Sequence, residues 1–306
     1  MGGRERTLPL PSILHLISLP RPRYFSEMDR TTEQRTVFRR LHEKGCFVIP
    51  NPWDVGSARY LQHLGFKALA TTSAGFAFSR GLPDTGAGMV DLMLAHVGEI
   101  ASAVDIPVNA DFQAGFSSTP EGVAANVRRC VATGVAGLSI EDATGDKEKP
   151  LYEISHAVER VKAAREAIDS SRAGVLLTAR AECHLVGHPK PLEESIARLQ
   201  AYARAGADVL YAPGLQTKEA IRAVVQAVSP KPINVIVSSN LGLTVSEIAE
   251  LGARRISVGS ALARAAWTGF IRAAEMLARD GVFTGFGGLV SFQELDKLFE
   301  SSKSQD

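Results

Sequence analysis

"PVNADFQAGFSSTPEGVAANVRRCVATGVAGLSIED" (residues 107–142) is one strand–helix–strand unit, and its reading decides the fold. The runs 107–112 and 137–142 are apolar without strict alternation, the pattern of strands covered on both faces. Between them Thr119 reads as a helix N-cap. Pro120 fits the first helical position, where its missing N–H is no loss, and Gly134 closes the helix. Each run carries acid near its end: Asp111 next to last in the first, Glu141 and Asp142 closing the second. Taken alone, a carboxylate where a strand leaves the core is an ordinary turn residue.

The unit recurs. Similar runs at 46–51, 67–73, 175–181, 207–214, 233–238 and 254–259 bring the total to eight. Amphipathic stretches lie between them, among them "SARYLQHLG", "PLEESIARLQAYARAG", "GLTVSEIAELG" and "SALARAAWTGFIRAAEMLARDG". The phrases "ATGVAG", "ARAGAD" and "AELGAR" each read as a helix end turning into a strand. The expected fold class is α/β, a (β/α)8 TIM barrel. An open doubly wound sheet would carry a glycine-rich phosphate turn after its first strand, and "NPWDVGSA" holds that place instead. The barrel is expected over residues 28–280, with a helical tail over 281–306. Residues 1–27, apolar but cut by Pro9, Pro11 and Pro20, read as a disordered or targeting extension.

Composition narrows the partners. In 306 residues, 45% are hydrophobic and the formal net charge is +1, so neither nucleic acid nor an anionic membrane is expected. Cys46, Cys130 and Cys183 do not make a disulfide framework and point to a reducing compartment, hence the cytoplasm. Organelle import through residues 1–27 is the other option. No stretch approaches the roughly 18 consecutive apolar residues of a membrane span.

In a barrel, chemistry sits at the C-terminal ends of the strands. Standing there are Asn51, Asp54, Thr72, Ser73, Asp111, Gln113, Glu141, Asp142, Arg180, Glu182, Tyr211, Asn234 and Ser238. Asp111 and Glu141 end sequential strands, and two carboxylates facing one cavity repel unless a cation or proton lies between them. Oxygen donors without Cys or His favour Mg2+ or Mn2+, with Gln113 and Asp84 reaching the ion through water. Arg180, from the next strand, can grip a carboxylate with two hydrogen bonds, or serve as a structural ion pair inside the barrel. With donors near Thr72 and Ser73, this is a site for a small oxyacid anion, on which a developing enolate would be stabilised by the metal. His184 and His188 show no ligand spacing. Cys183 has no triad partner, and "GDKEK" (145–149) reads as a charged loop near the strand ends.

The segments "NPWDVGSARYLQHLGFKALATTSAGFAFSRGLPD" (51–84), "DFQAG", "GLSIED" and "LTARAE" resemble the isocitrate lyase/phosphoenolpyruvate mutase superfamily, over about residues 33–275. The resemblance implies a modified (β/α)8 barrel, Mg2+, a small 2-oxo or hydroxy acid as substrate, and a homodimer or homotetramer that exchanges the helix near 260–279. It places Asp111, Asp84 and Glu141 in the metal and substrate shell, with Gln113 where the family has the second Asp of its Asp-x-Asp motif. It assigns Arg180 to the substrate carboxylate and Thr72, Ser73 and Ala74 to the substrate loop; Asn234, at the seventh strand, is a further candidate substrate contact. Lys147 keeps a lysine of the lyase gating loop, but Lys149 stands where the lyases carry the proton-delivering Cys. A lysine of lowered pKa is then the candidate donor, and Arg180, Lys147 and Glu141 are the candidate catalytic residues. The expected activity is Mg2+-dependent cleavage of a C–C bond in a small 2-oxo or 2-hydroxy (di)carboxylic acid, such as oxaloacetate decarboxylation. The alternatives are a C–P bond enzyme of the phosphonopyruvate hydrolase or phosphoenolpyruvate mutase kind, and a non-catalytic acid-binding barrel.

Overall fold

The computed structural model describes residues 27–84 and 89–301. The expected extension therefore lies outside the described residues except for Glu27, as do residues 302–306 of the tail. Eight strands form: β1 (Phe47–Ile49), β2 (Leu69–Ala70), β3 (Val108–Asp111), β4 (Gly137–Glu141), β5 (Leu176–Arg180), β6 (Val209–Tyr211), β7 (Ile233–Ile236) and β8 (Arg255–Ser257). The α-helices are α1 (Glu27–Leu41), α2 (Val55–His63), α3 (Ser73–Ser79), α4 (Val90–Ala103), α5 (Pro120–Ala132), α6 (Ile154–Ser171), α7 (Pro191–Arg204), α8 (Lys218–Val228), α9 (Val245–Glu250), α10 (Ala261–Asp280) and α11 (Phe292–Ser301). The strands pair in parallel in the order β1-β8-β7-β6-β5-β4-β3-β2. A single Ala70 N–H to Pro50 C=O bond of 3.0 Å joins the two ends of that order, closing a (β/α)8 barrel.

Local chemistry explains the elements. Thr119 Oγ1 accepts from the Gly122 N–H, Pro120 sits in the first turn of α5, and Gly134 follows the helix at φ +90°. Asp54, one of the strand-end acids, is used as the cap of α2: its carboxylate accepts the Ser57 N–H at 2.7 Å while the Ser57 hydroxyl takes the Asp54 N–H. Asn51 is also spent locally, accepting from the N–H groups of Val258 and Gly259 and donating to the Thr71 C=O.

Helix α1 seals one end of the barrel. Phe38 is fully buried and packs with Ile49, Ala68, Ala70, Ala136 and Leu176, most of which begin or precede strands. Arg35 fixes α1 by donating to the carbonyls of Val131 and Val135. Parallel register then levels the opposite end. Glu141 stands beside Arg180, and Arg180 beside Tyr211, so three C-terminal strand residues face one mouth.

The far end of the chain is different in kind. Along α10 Ala263 is buried, whereas Phe270 is 62% exposed; beyond it Phe292, at the start of α11, is 88% exposed. No helix among the described residues is long and apolar enough to cross a membrane.

Candidate active site

The site is assembled from three consecutive strand ends. Asp111 closes β3, and its own N–H is held by the Thr71 hydroxyl at 2.9 Å. Its Oδ2 accepts the Ser73 N–H at 2.9 Å, one of the free amides at the start of α3 that need an acceptor. Its Oδ1 accepts from Arg180 Nη1 at 2.8 Å. The same nitrogen lies 3.1 Å from Glu141 Oε2, and Arg180 Nε donates to Glu182 Oε1 at 2.8 Å. The guanidinium rests over the Tyr211 ring, 5.0 Å from its centroid.

A second layer holds these groups. Buried Asp142 accepts the Glu182 N–H at 2.9 Å with Oδ1, and its Oδ2 takes Arg198 Nη1 at 3.0 Å and the Tyr202 hydroxyl at 2.5 Å. Gln113 sits at φ +46°, a left-handed conformation uncommon for a residue with a Cβ and frequent at functional sites. In that pose its carbonyl accepts the Glu141 N–H, and its Nε2 donates to Asp84 Oδ1 at 2.9 Å. Arg160 donates to the carbonyls of Ala114, Ser117 and Glu141 and lies 4.0 Å from the Tyr152 ring centroid. It thereby ties the loop after β3 to the end of β4.

The electrostatics follow from this packing. Burial opposes the charge on Arg180, but Glu141, Glu182 and Asp111 outweigh it and hold its pKa well above the ordinary value. Burial, helped by Glu182, Asp111 and Asp84 and opposed by Arg180, pushes Glu141 up to about 8. Glu182 is raised mainly by burial, and Asp84, at the rim, by burial and then by Asp111. One guanidinium thus faces Asp111, Glu141 and Glu182, with Asp84 close by. The cluster has more negative charge than Arg180 can balance, and a proton or a cation relieves it.

Do these residues suit a divalent ion? The donors are all carboxylate or amide oxygens, which is the chemistry of Mg2+ or Mn2+ sites, and the uncompensated charge has the right sign. In the present conformation Arg180 Nη1 bridges Asp111 and Glu141. Consistent with that, no group of three or more His, Cys, Asp or Glu is arranged to hold a metal among the described residues. The donor set fits the ion once Nη1 of the guanidinium leaves Asp111 or Glu141.

A cavity of about 710 Å³ opens over the cluster, bordered by Ser73, Asp84, Gln113, Glu141, Arg180 and Glu182. The structure therefore brings together Asp84, Asp111, Gln113, Glu141, Arg180 and Ser73. The other candidates stand apart. Thr72 spends its hydroxyl capping α3 through the Gly75 N–H, and Ala74 is half-buried within that helix. Asn234 does not border the cavity: it is buried in the barrel, donating to Ser257 Oγ at 2.9 Å and accepting from Arg255 Nε at 2.8 Å. Lys147 is exposed on a loop pinned by the Ala143–Leu151 bridge and by the Thr144 N–H to Pro150 C=O bond, outside the cavity lining.

Sequence reasoning did not select Glu182, Tyr211, Tyr152 or Arg160. The first two had a signal, as strand-end residues next to Arg180 and on the following strand. Arg160 had one as well: it interrupts the buried stripe Ala157, Val161, Ala164 and Ile168 of α6, where a charge needs a dedicated partner.

The chain is similar to known proteins over most of its length. The family model for phosphoenolpyruvate phosphomutase matches residues 38–278. A solved chain from Burkholderia cenocepacia J2315, whose activity is given only as lyase/mutase, is 45% identical with a TM-score of 0.85, covering 89% of this chain and 98% of its own. The structure of oxaloacetate acetylhydrolase with the product oxalate is 28% identical, with a TM-score of 0.79 and coverage of 90% and 96%. Among curated sequences, the 2-methylisocitrate lyase of Escherichia coli (strain K12) is 32% identical over 163 residues, 52% of this chain and 54% of the lyase.

Proposed function

Because this chain belongs to the phosphoenolpyruvate phosphomutase family, whose relatives are lyases and mutases, we propose that it is a Mg2+- or Mn2+-dependent lyase. It would cleave a C–C bond in a small 2-oxo or 2-hydroxy dicarboxylic acid through an enolate. The observation that carries the reading is the excess of carboxylates over guanidinium at the mouth of the barrel. A hard cation held by Asp111, Glu141, Asp84 and Gln113 would supply Lewis acidity for the negative charge that develops on the substrate oxygen.

The protein's own groups have separate tasks. Arg180, once off Asp111 or Glu141, presents two N–H groups to a substrate carboxylate. The Ser73 N–H offers a further donor beside it. Glu141, its pKa raised by burial, keeps a proton near neutral pH in the metal-free protein and would give it up to hold the ion. Lys147 would act as donor only with the 143–151 loop folded over the cavity. Loss of carbon dioxide needs no proton on the departing fragment, which suits a loop lacking the lyase Cys. Oxaloacetate acetylhydrolase, one of the similar structures, is named for a 2-oxo dicarboxylate.

The test is a panel of 2-oxo and 2-hydroxy acids incubated with purified protein and Mg2+, alongside phosphorus NMR of phosphonopyruvate. At least one C–C substrate should be consumed, with activity removed by EDTA and by Asp111→Asn. Consumption of phosphonopyruvate alone would move the assignment to C–P chemistry, and turnover of nothing would leave an acid-binding barrel.

We infer in addition that the exposed apolar side of α10 and the tail meets a second copy, giving a homodimer or homotetramer. Trp267, Phe270 and Ile271 there have too much apolar surface for an isolated helix face. Light scattering should return two or four chain masses, reduced to one by Phe270→Asp with Trp267→Asp; a monomeric wild type at micromolar concentration would refute this. All three cysteines are unpaired, which supports a cytoplasmic location.

A further inference from the structure

One register row runs from the mouth of the barrel into its core. Glu141, Arg180, Tyr211, Asn234 and Arg255 are neighbours in turn across β4, β5, β6, β7 and β8. Glu141 and Arg180 border the cavity, whereas Tyr211, Asn234 and Arg255 are buried. Barrel interiors are filled mainly by branched apolar side chains, so a guanidinium there calls for a reason. Arg255 meets an amide and a hydroxyl and, among the described residues, no carboxylate. Its Nε donates to Asn234 Oδ1 at 2.8 Å and its Nη2 to Thr178 Oγ1 at 3.2 Å, which ties β8 to β7 and to the strand that carries Arg180. Burial lowers its pKa to about 10, which leaves it charged at neutral pH. A buried cation without a counter-charge weakens a fold, so stability does not supply the reason.

The direction of these hydrogen bonds does. A guanidinium only donates, so the Asn234 side-chain oxygen must face Arg255. The amide nitrogen is then turned the other way, and it donates to Ser257 Oγ at 2.9 Å. With its oxygen accepting from Asn234, Ser257 keeps its proton for a further acceptor. Its hydroxyl acts on the Tyr211 hydroxyl as a donor does, favouring the ionised form. Tyr211 in turn carries the Arg180 guanidinium on its ring, 5.0 Å from the centroid. The buried cation is thus linked side chain by side chain to the guanidinium at the mouth.

Resting on the lyase reading above, we propose that Arg255 is a positioning residue: through Asn234 and Ser257 it fixes the Tyr211 ring, and so sets the pose from which Arg180 takes a substrate carboxylate. Asn234→Asp, Tyr211→Phe and the double variant test this, with oxalate as an inert probe acid. Asn234→Asp gives Arg255 a carboxylate and removes the amide donor, so the Ser257 proton turns toward it and leaves Tyr211. The thermal midpoint should hold or rise, while calorimetric titration of the Mg2+-loaded protein with oxalate should show about ten-fold weaker binding. Tyr211→Phe keeps the ring and cuts its tether to Ser257. It should weaken oxalate by a similar factor, and Asn234→Asp in that background should add a loss of about two-fold at most. A larger added loss would mean that charge acts through space rather than through Tyr211, and overturns the proposal. Oxalate affinity unchanged in either single variant, or an affinity that falls only together with the midpoint, overturns it as well while leaving the acid site intact. Failure of the wild type to bind oxalate overturns the acid site itself and this inference with it.

Discussion

Arg180→Ala will reduce turnover by about a thousand-fold and destabilise the fold by about 3–5 kcal/mol. The two losses have one origin. The guanidinium is the shared partner of Asp111, Glu141 and Glu182, all largely withdrawn from water. Its removal leaves three carboxylates without their guanidinium partner and takes away the one cationic side chain that borders the cavity among the described residues. The variant should regain stability at acid pH, where protonation does the neutralising. Arg180→Lys keeps a charge but not the planar fork that reaches Asp111 and Glu141 from one nitrogen and Glu182 from another, so it should restore part of the stability and little of the activity. Denaturant unfolding and kcat/KM on the substrate found by the panel separate these effects. An Arg180→Ala protein within ten-fold of wild type would show that the guanidinium is structural only.

The second large effect concerns pH. Glu141 titrates near 8 in the folded protein against an ordinary value of 4.5. A carboxyl whose folded pKa is raised binds its proton more tightly in the folded state. The stability it contributes is fully present below about 4.5 and is lost as pH rises through about 8. Thermal midpoints of metal-free protein should therefore fall across that interval, by several degrees. Glu141→Gln imitates the protonated form and should remove most of the slope; a residue of it should persist because Asp84 and Glu182 are raised in the same direction. A midpoint that climbs through the interval, or a slope identical in Glu141→Gln, would mean that the excess charge is not centred on Glu141.

Particular residues show what could be read in advance. The eight apolar runs each contain one observed strand, because burial on both faces leaves few polar positions to blur the pattern. Thr119, Pro120 and Gly134 announced α5 because caps act over three or four residues and need no tertiary partner. Asp111, Glu141 and Arg180 were legible as neighbours because sequential parallel strands must place their ends together. The pairing among them was not. Whether a long guanidinium points to a ligand or folds onto adjacent acids is a rotamer choice, settled by Tyr211 beneath it and Glu182 beside it. Asn234 was placed at the mouth by strand counting, yet buried Arg255 needed its amide and drew it into the barrel. The role of Arg160 depends on three carbonyls, two from the loop after β3 and one from the end of β4, a contact with no signature in spacing. Helix α10 could be read by its length, but which of its apolar side chains stay exposed, Phe270 among them, could not.

The central claim is that the carboxylates closing β3 and β4, with Asp84, accept one divalent ion in exchange for part of the Arg180 contact. The direct measurement is a calorimetric titration of the purified protein with Mn2+ near neutral pH, in two buffers of different ionisation enthalpy. The account predicts one ion per chain, release of protons as Glu141 ionises, and at least ten-fold weaker binding in Asp111→Asn. No binding at millimolar Mn2+, or one-to-one binding that Asp111→Asn and Glu141→Gln leave untouched, would contradict it.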